Sequence, residues 1–427
     1  MIAPAALARL RAALGPDGLA EHAPLEIEGA RPEATLSPAD GAALARALGA
    51  LSALGLSALV RGAGTQLSLG NPPRRADVVL STARLRGIEV LDAEEGVARV
   101  RAGTPLAELR DAAASCGWEP PLDPLSPEAT LGGVLAAGAP GPRGLAFGRP
   151  RDAVLGLDTA LASGERTRCG GRVVKNVTGY DLAKLYAGSL GTLAVIEAAW
   201  LRLRPRPEET RLLVAWLESA SVAAGMEAAR LPSARVVALA DAALAPRLDA
   251  AARAGLALAV IELAGDLAVV AADARELASR LGAASGPPDT LERLRGCLSE
   301  PPGEAALRAR LEVRPSRLAA CAAALAGAPL LLQPGLASLH VWLSLAEDPH
   351  APGGPPAADA VARAFDRLGA AARAGGGRFV VEAAPLRAKA GRDVFGEAPE
   401  GLALMRALKQ RFDPQGVLNP GRFLGGI

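Results

Sequence analysis

Tyrosine, lysine and asparagine are scarce in this chain of 427 residues, and the few present are not evenly spread. Tyr180, Tyr186, Lys175, Lys184 and Asn176 all fall within RVVKNVTGYDLAKLYAGSLGTLAVI, residues 172–196. The other lysines are Lys389 and Lys409, and the other asparagines are Asn71 and Asn419. A composition weighted towards Ala, Gly, Pro, Arg and Leu keeps such exceptions where a side chain has a specific contact to make. Lys175 supplies a fixed positive charge, and Asn176 and Tyr180 can hydrogen-bond to a heteroaromatic ring or to phosphates. Asp181 is better placed as the N-cap of DLAKLYAG, and Tyr186 as core packing. In SLGTL, Ser189 and Gly191 flank a turn, and Thr192 leads into an apolar strand that holds Val195 and Ile196.

Two glycine-rich stretches precede this one. RGAGTQLSLG places Arg61, Gly62, Ala63, Gly64, Thr65, Gln66 and Leu67 directly after an apolar strand. Without Cβ atoms, such a loop lets backbone N–H groups close on phosphate oxygens. Read alone, it is equally a tight hairpin loop. It is not a Rossmann fingerprint, because Asn71-Pro72-Pro73 stand where the helix must begin, and it has no GK[ST] of a P-loop. ATLGGVLAAGAPGPRGLAFGRP spaces Gly132, Gly133, Gly138 and Gly144 around small residues, beside Thr130 and Leu131. It can lay its backbone against a flat ligand while Thr130 donates a hydroxyl; a small-residue linker is the alternative.

The elements that must hold these loops are legible in outline. SPADGAALARALGALSALG has Ser37 as expected N-cap, Pro38 at N1 and Asp40 at N3, with Gly55 closing the helix. A strand, the first glycine loop, the strand ADVVLST, the hairpin GIEVLDAEEGVARVRAG and a helix capped by Thr104-Pro105 follow. Residues 120–150 lack periodicity, a length of loop that is usually functional. AVLGLDTALASGERTRC reads as a hairpin, and RPRPEE at 204–209 ends regular structure. Beyond it, strands such as LALAVIELAG and RARLEVRP alternate with alanine-rich helices, as in a βαβ sandwich of one sheet and one helical layer. The tail, GLALMRALKQRFDPQGVLNPGRFLGGI, reads as a helix, a tight turn and an extended end. The fold class is α+β rather than a regularly doubly wound sheet.

Bulk properties narrow the classes. At this length two or three domains are expected, and 50% apolar with 22% charged residues suits a globular chain. A net charge of +2 and the absence of a basic run with interleaved aromatics argue against nucleic-acid binding. No apolar run approaches a membrane span, and the start lacks the basic and apolar regions of a secretory signal. Cys116, Cys169, Cys297 and Cys321 are scattered, so neither an iron–sulfur cluster nor a zinc site is expected, and a reducing cytoplasm is. His22, His340 and His350 are too dispersed for a metal site.

Together, these motifs in this order resemble the FAD-binding domain of the vanillyl-alcohol-oxidase-type (PCMH-type) flavoproteins. RGAGTQLSLG resembles that family's pyrophosphate loop, ATLGGVLAAGAPGPRG its second flavin-cradling loop and GSLGTLAVI its last FAD-contacting strand. DPQGVLNPGR resembles its ending, with Arg422 in place of lysine and Asn419 in the motif. Within the family, the chain most resembles the FAD-binding subunit of the three-part bacterial glycolate oxidase. The resemblance implies a two-subdomain FAD-binding domain over 1–206, a ferredoxin-like α+β cap over 207–385 and a returning segment over 386–427. It also implies FAD held non-covalently, since the histidine that tethers flavin in some relatives is missing beside the pyrophosphate loop.

The activity implied is oxidation of a small 2-hydroxy acid, with electrons passed to an iron–sulfur partner subunit beside a sister FAD-binding catalytic subunit. Location would be cytoplasmic, with the membrane reached only through the complex. Relatives acting on 2-hydroxy acids usually carry an acidic–histidine cluster before the C-terminal segment, and RFVVEAAPLRAKAGRD has no histidine. A stand-alone FAD dehydrogenase and a non-catalytic scaffold for a sister subunit are therefore the alternatives. Candidates for substrate chemistry are His340, in the strand LASLHVWL, and Arg378, Arg387 and Lys389 for a carboxylate.

Overall fold

Asp40, not the expected Ser37, caps the first long helix. Its carboxylate accepts from the Ala43 backbone N–H at 2.7 Å, and the helix runs Gly41–Leu54 before Gly55 closes it at φ +63°. An ionised cap three residues nearer the apolar face outcompetes the Ser37-Pro38 start. The computed structural model describes residues 2–21, 26–172, 181–249, 251–303, 305–346 and 358–427. Two compact units emerge: Met1–Pro140 with Arg149–Pro205 and Ala398–Ile427, and Gly141–Gly148 with Arg206–Glu397.

The first unit has two main sheets. Strands β1 (Leu19–Glu21), β2 (Ala34–Leu36), β3 (Ala58–Arg61) and β4 (Val78–Ser81) lie in the order β1-β2-β4-β3, with β2 and β3 parallel to β4. Helices α1 (Pro4–Leu14) and α2 (Gly41–Leu54) pack with that sheet around one apolar cluster. Along α2, Leu44, Ala47, Leu48 and Leu51 are buried, the spacing of one helical face. The second sheet has the order β5-β6-β10-β8-β9. It contains β5 (Ile88–Asp92), β6 (Val97–Arg101), β8 (Val154–Ala160), β9 (Arg166–Gly170) and β10 (Val195–Arg202), while β7 (Trp118–Glu119) pairs with β11 (Arg204–Pro205). Residues Val195 to Ala199 of central β10 are all buried, covered on both faces.

Three short helices complete the unit's interior: α3 (Leu106–Ala114), α4 (Leu131–Ala137) and α6 (Leu182–Tyr186). Thr104 does not cap α3. Its hydroxyl is engaged with the backbone N–H and carbonyl of Gly87, and Pro105 takes the N-cap position.

The second unit is a single eight-stranded sheet of order β15-β12-β14-β13-β17-β18-β16-β19. Its first half runs β12 (Glu209–Leu217), α7 (Val222–Ala228), β13 (Ala234–Ala240), β14 (Ala257–Gly265), α9 (Leu267–Leu281) and β15 (Ala284–Ser285). Its second half runs β16 (Ala306–Glu312), α11 (Leu318–Ala324), β17 (Leu330–Gln333), β18 (Ser338–Ser344), α12 (Ala358–Gly375) and β19 (Arg378–Ala383). Each half is βαββαβ with strands in the order 4-1-3-2, so the expected ferredoxin-like domain is present in duplicate. The halves meet through β13 and β17, paired only at Leu239–Leu332 and Ala240–Leu331. Short helices α5 (Gly144–Phe147), α8 (Ala245–Leu248), α10 (Thr290–Ser299) and α13 (Leu386–Lys389) belong to this unit, while α14 (Leu402–Phe412) returns to the first. Among the described residues, no helix is long and apolar enough to cross a membrane.

Candidate cofactor cradle and charged sheet face

At Arg61 the strand β3 ends and the chain turns into the first glycine loop. Gly64 sits at φ +87°, and a Cβ there would lie 2.8 Å from the Arg61 side chain. A Cβ on Gly70, at φ +99°, would lie 2.7 Å from the Arg422 carbonyl oxygen. Gly62 faces Thr130 so closely that a Cβ would approach its Oγ1 to 2.2 Å. The glycines here permit backbone contact that any side chain would block.

Thr130 stands at the N-cap position of α4, yet its hydroxyl caps nothing and is buried without a hydrogen-bond partner among the described residues. The first turn of α4 is held by the segment that follows β6: Leu131 N–H donates to Thr104 O at 2.9 Å and Gly132 N–H to Ala102 O at 2.8 Å. At its other end, Gly138 adopts φ +66°, and the Gly188 and Leu190 N–H groups donate to Leu135 O and Ala136 O. The second and third loops are thereby joined by their backbones.

The third loop begins as expected, with the Asp181 carboxylate accepting from the Lys184 N–H. Tyr186 is buried against the edge of Phe412, and burial pushes its phenol pKa up. Leu190 and Gly191 are both left-handed, at φ +52° and +66°, and the Thr192 hydroxyl donates to Ser189 O at 2.7 Å. Asn419 bridges β3 and the third loop: its Oδ1 accepts from Val60 N–H at 2.8 Å and its Nδ2 donates to Leu190 O at 2.7 Å. Lys409 donates to Thr192 O, Leu418 O and Asp413, and Asp413 accepts from the Val417 and Leu418 N–H groups.

These ties leave an open cleft between the loops. Gly62, Gly132, Gly133, Ser189, Gly191, Val195, Ile196 and Asn419, all expected from sequence, line it together. Arg61, Ala63, Gly64, Thr65, Gln66 and Leu67 are half-buried along the loop beside Gly62. Thr130, Leu131 and Thr192 are buried, and Gly138 ends α4. Gly144 starts α5 in the second unit. Lys175, Asn176 and Tyr180 lie outside the described residues. Val60, Thr82, Ala136, Leu190 and Ala194 also line the cleft; as ordinary residue types they carry no sequence signal. An orphaned hydroxyl, glycines that a Cβ would fill and consecutive left-handed residues fit a flat group carrying phosphates.

In the second unit, strand alternation sends Leu307, Ala309, Leu339 and Val341 into the helix-covered core and Arg308, Arg310, His340 and Trp342 to the opposite face. Register places Arg310 beside His340 and Arg308 beside Trp342. Glu382, from β19, lies at their centre, 2.8 Å from Arg310 Nε, 3.2 Å from His340 Nδ1 and 3.5 Å from Arg308 Nε. Arg308 also donates to Cys297 O and Glu300 O at the end of α10. Despite its burial, His340 and the two arginines hold the Glu382 carboxyl far below the usual carboxylate range. Burial lowers the His340 pKa against the pull of Glu382. The stretch 378–393 thus acquires an acidic–histidine pair whose histidine comes from another strand. Arg378 and Arg387 are exposed, whereas Lys389 is buried. Sequence reading passed over Arg308, Arg310 and Glu382; the alternating arginines of ALRARLE were the available signal.

Comparison with known proteins bears on both ends of the first unit. A family described as an FAD binding domain matches residues 32–170, and one described as the C-terminal domain of FAD linked oxidases matches 395–423. Glycolate oxidase subunit GlcD of Bacillus subtilis is 36% identical over 194 residues, 45% of this chain and 41% of that protein. GlcE of the Escherichia coli glycolate oxidase is 36% identical over 179 residues, 41% and 51% of the respective chains. A D-lactate dehydrogenase of Archaeoglobus fulgidus is 43% identical over 154 residues, 36% and 34%. The matched regions thus span about half or less of these relatives. Two solved structures share the fold at 16% identity. An alkyldihydroxyacetonephosphate synthase has TM-score 0.71, covering 99% of this chain and 86% of that one. A p-cresol methylhydroxylase with substrate bound has TM-score 0.70, covering 98% and 96%.

Proposed function

Because the chain carries a PCMH-type FAD-binding domain related to the glycolate oxidase subunits, we propose that it is the FAD-binding subunit of a glycolate oxidase (glycolate dehydrogenase) complex. In this reading the complex oxidises a small 2-hydroxy acid to the 2-oxo acid and passes the electrons to a partner iron–sulfur subunit. The observation that supports it best is the convergence of three glycine loops and Asn419 on one cleft. When bound, FAD supplies the ring that accepts a hydride. The loop backbones would hold the pyrophosphate, Thr130 would donate its free hydroxyl, and Lys175, Asn176 and Tyr180 would add contacts from 172–180. Attachment would be non-covalent, and the cleft lining includes neither histidine nor cysteine among the described residues.

The general base is unassigned, and His340, Arg378 and Arg387 are the candidates for substrate chemistry. His340 Nδ1 lies 3.2 Å from the Glu382 carboxylate. Exposed Arg378 and Arg387 are the alternatives for gripping the substrate carboxylate. GlcD and GlcE are named as subunits of a glycolate oxidase, which supports a sister FAD subunit as partner. The scattered cysteines leave the iron–sulfur relay to another chain. We place the complex in the cytoplasm, touching the membrane only through its partners.

An absorption spectrum of the purified chain soaked with FAD should show bound oxidised flavin. Glycolate or D-lactate added anaerobically should bleach it, alone or once partner subunits are present. No flavin after soaking sinks the proposal. Bound flavin that neither acid bleaches, with or without partners, leaves the scaffold reading.

A further inference from the structure

Arg422 is almost fully buried, at 5% exposure, and its guanidinium donates to three backbone carbonyls of the first glycine loop. Nη2 donates to Leu67 O and Leu69 O, each at 2.6 Å, and Nη1 to Asn71 O at 3.0 Å. The contact is reciprocal: Asn71 N–H donates to Arg422 O at 2.9 Å, and the Asn71 side-chain amide donates to Phe423 O at 3.1 Å. Buried backbone carbonyls need donors, and a loop of glycines has little intrinsic preference for one conformation. A planar fork with two separate nitrogens meets three splayed acceptors better than the single nitrogen of an ammonium.

We propose that Arg422 is a positioning residue for the cofactor: it fixes the 62–70 loop in its binding form, so that seating of the 419–423 turn and binding of FAD are one linked equilibrium. This rests on the FAD reading above and adds the element that controls it. A ligand that needs the seated turn must in return hold it seated, by thermodynamic reciprocity. Charge opposition is not the basis, since the contacts are carbonyls. A loop without Arg422 samples other conformations and binds FAD in proportion to the fraction correctly formed.

The test is FAD affinity, read by quenching of flavin fluorescence, for wild type, Arg422→Lys, Arg422→Gln and the exposed control Arg411→Gln. Arg422→Gln should raise the FAD Kd at least tenfold, Arg422→Lys less, and Arg411→Gln not at all, with native circular dichroism throughout. In parallel, trypsin cleavage of wild type after Arg422 should slow at least tenfold at saturating FAD, while cleavage within the second unit is unchanged. Kd values for both Arg422 variants within twofold of wild type would overturn the proposal. Should the variants fail to fold, the proteolysis decides: a tail cut equally fast with and without FAD overturns it. Failure of wild type to bind FAD would instead remove the underlying reading.

Discussion

Thr130 and Gly64 mark opposite demands on a single residue in the cradle. The Thr130 hydroxyl is buried and has no hydrogen-bond partner among the described residues, a cost that Thr130→Val removes from the empty protein. Thermal melts should therefore show the FAD-free variant at least as stable as wild type, while its FAD Kd rises roughly fivefold, the worth of about one hydrogen bond of ~1 kcal/mol. Gly64→Val combines a left-handed backbone with a clash against Arg61. Flavin absorbance after FAD soaking should be lost from it; retained absorbance would remove the loop from the cradle. Residue types were the legible part of this site, because glycine and threonine in those positions mean backbone approach and a free hydroxyl. What Asn419 does was not legible. Besides lining the cleft, its amide ties Val60 to Leu190, partners fixed only by the folded chain.

Elements set the electrostatics of the charged face. Glu382 has its pKa lowered from 4.5 and His340 from 6.5. In both cases the unfolded chain binds protons more readily than the folded one, so stability is present at high pH and lost on acidification. The melting temperature should start to fall as pH drops below 6.5, through His340, and fall further below 4.5, through Glu382. His340→Gln should abolish the first phase and weaken the second, because His340 helps to hold the Glu382 carboxyl down; an unchanged profile would mean that His340 is protonated in the fold. In the first unit, Asp413→Ala strips two backbone N–H groups and Lys409 of a buried carboxylate. Denaturant unfolding should show a loss of about 3 kcal/mol. The period-2 arginines of β16 were visible in sequence, yet their carboxylate partner lies 72 residues on, between Arg310 and Glu382. Only strand register could supply it. The N-cap of α2 failed for the opposite reason: Ser37 and Asp40 are both good caps, and local sequence does not rank them when packing decides.

At the scale of the whole molecule, the duplicated βαββαβ sheet escaped sequence reading because its halves share an order of strands and not a run of residues. Helix and strand periods remain when repeats diverge; pairing partners do not announce themselves. The same holds for 141–148, a short stretch whose membership in the second unit is secured by Arg143, bidentate to buried Glu262 at 2.7 Å. Arg143→Ala should cost about 2–4 kcal/mol in denaturant unfolding by leaving that carboxylate uncompensated. A loss within 0.5 kcal/mol, roughly the scatter of neutral surface changes, would show the pair to be incidental. The bridge from Asn419 to Leu190 crosses 229 residues of chain, and that from Asn419 to Val60 crosses 359. On a ribosome making about 5–20 residues per second, the Ser189–Thr192 turn emerges roughly ten to fifty seconds before the side chain that ties it. Until Asn419 has been made the cradle lacks that tie, so cofactor loading waits on the 419–423 turn.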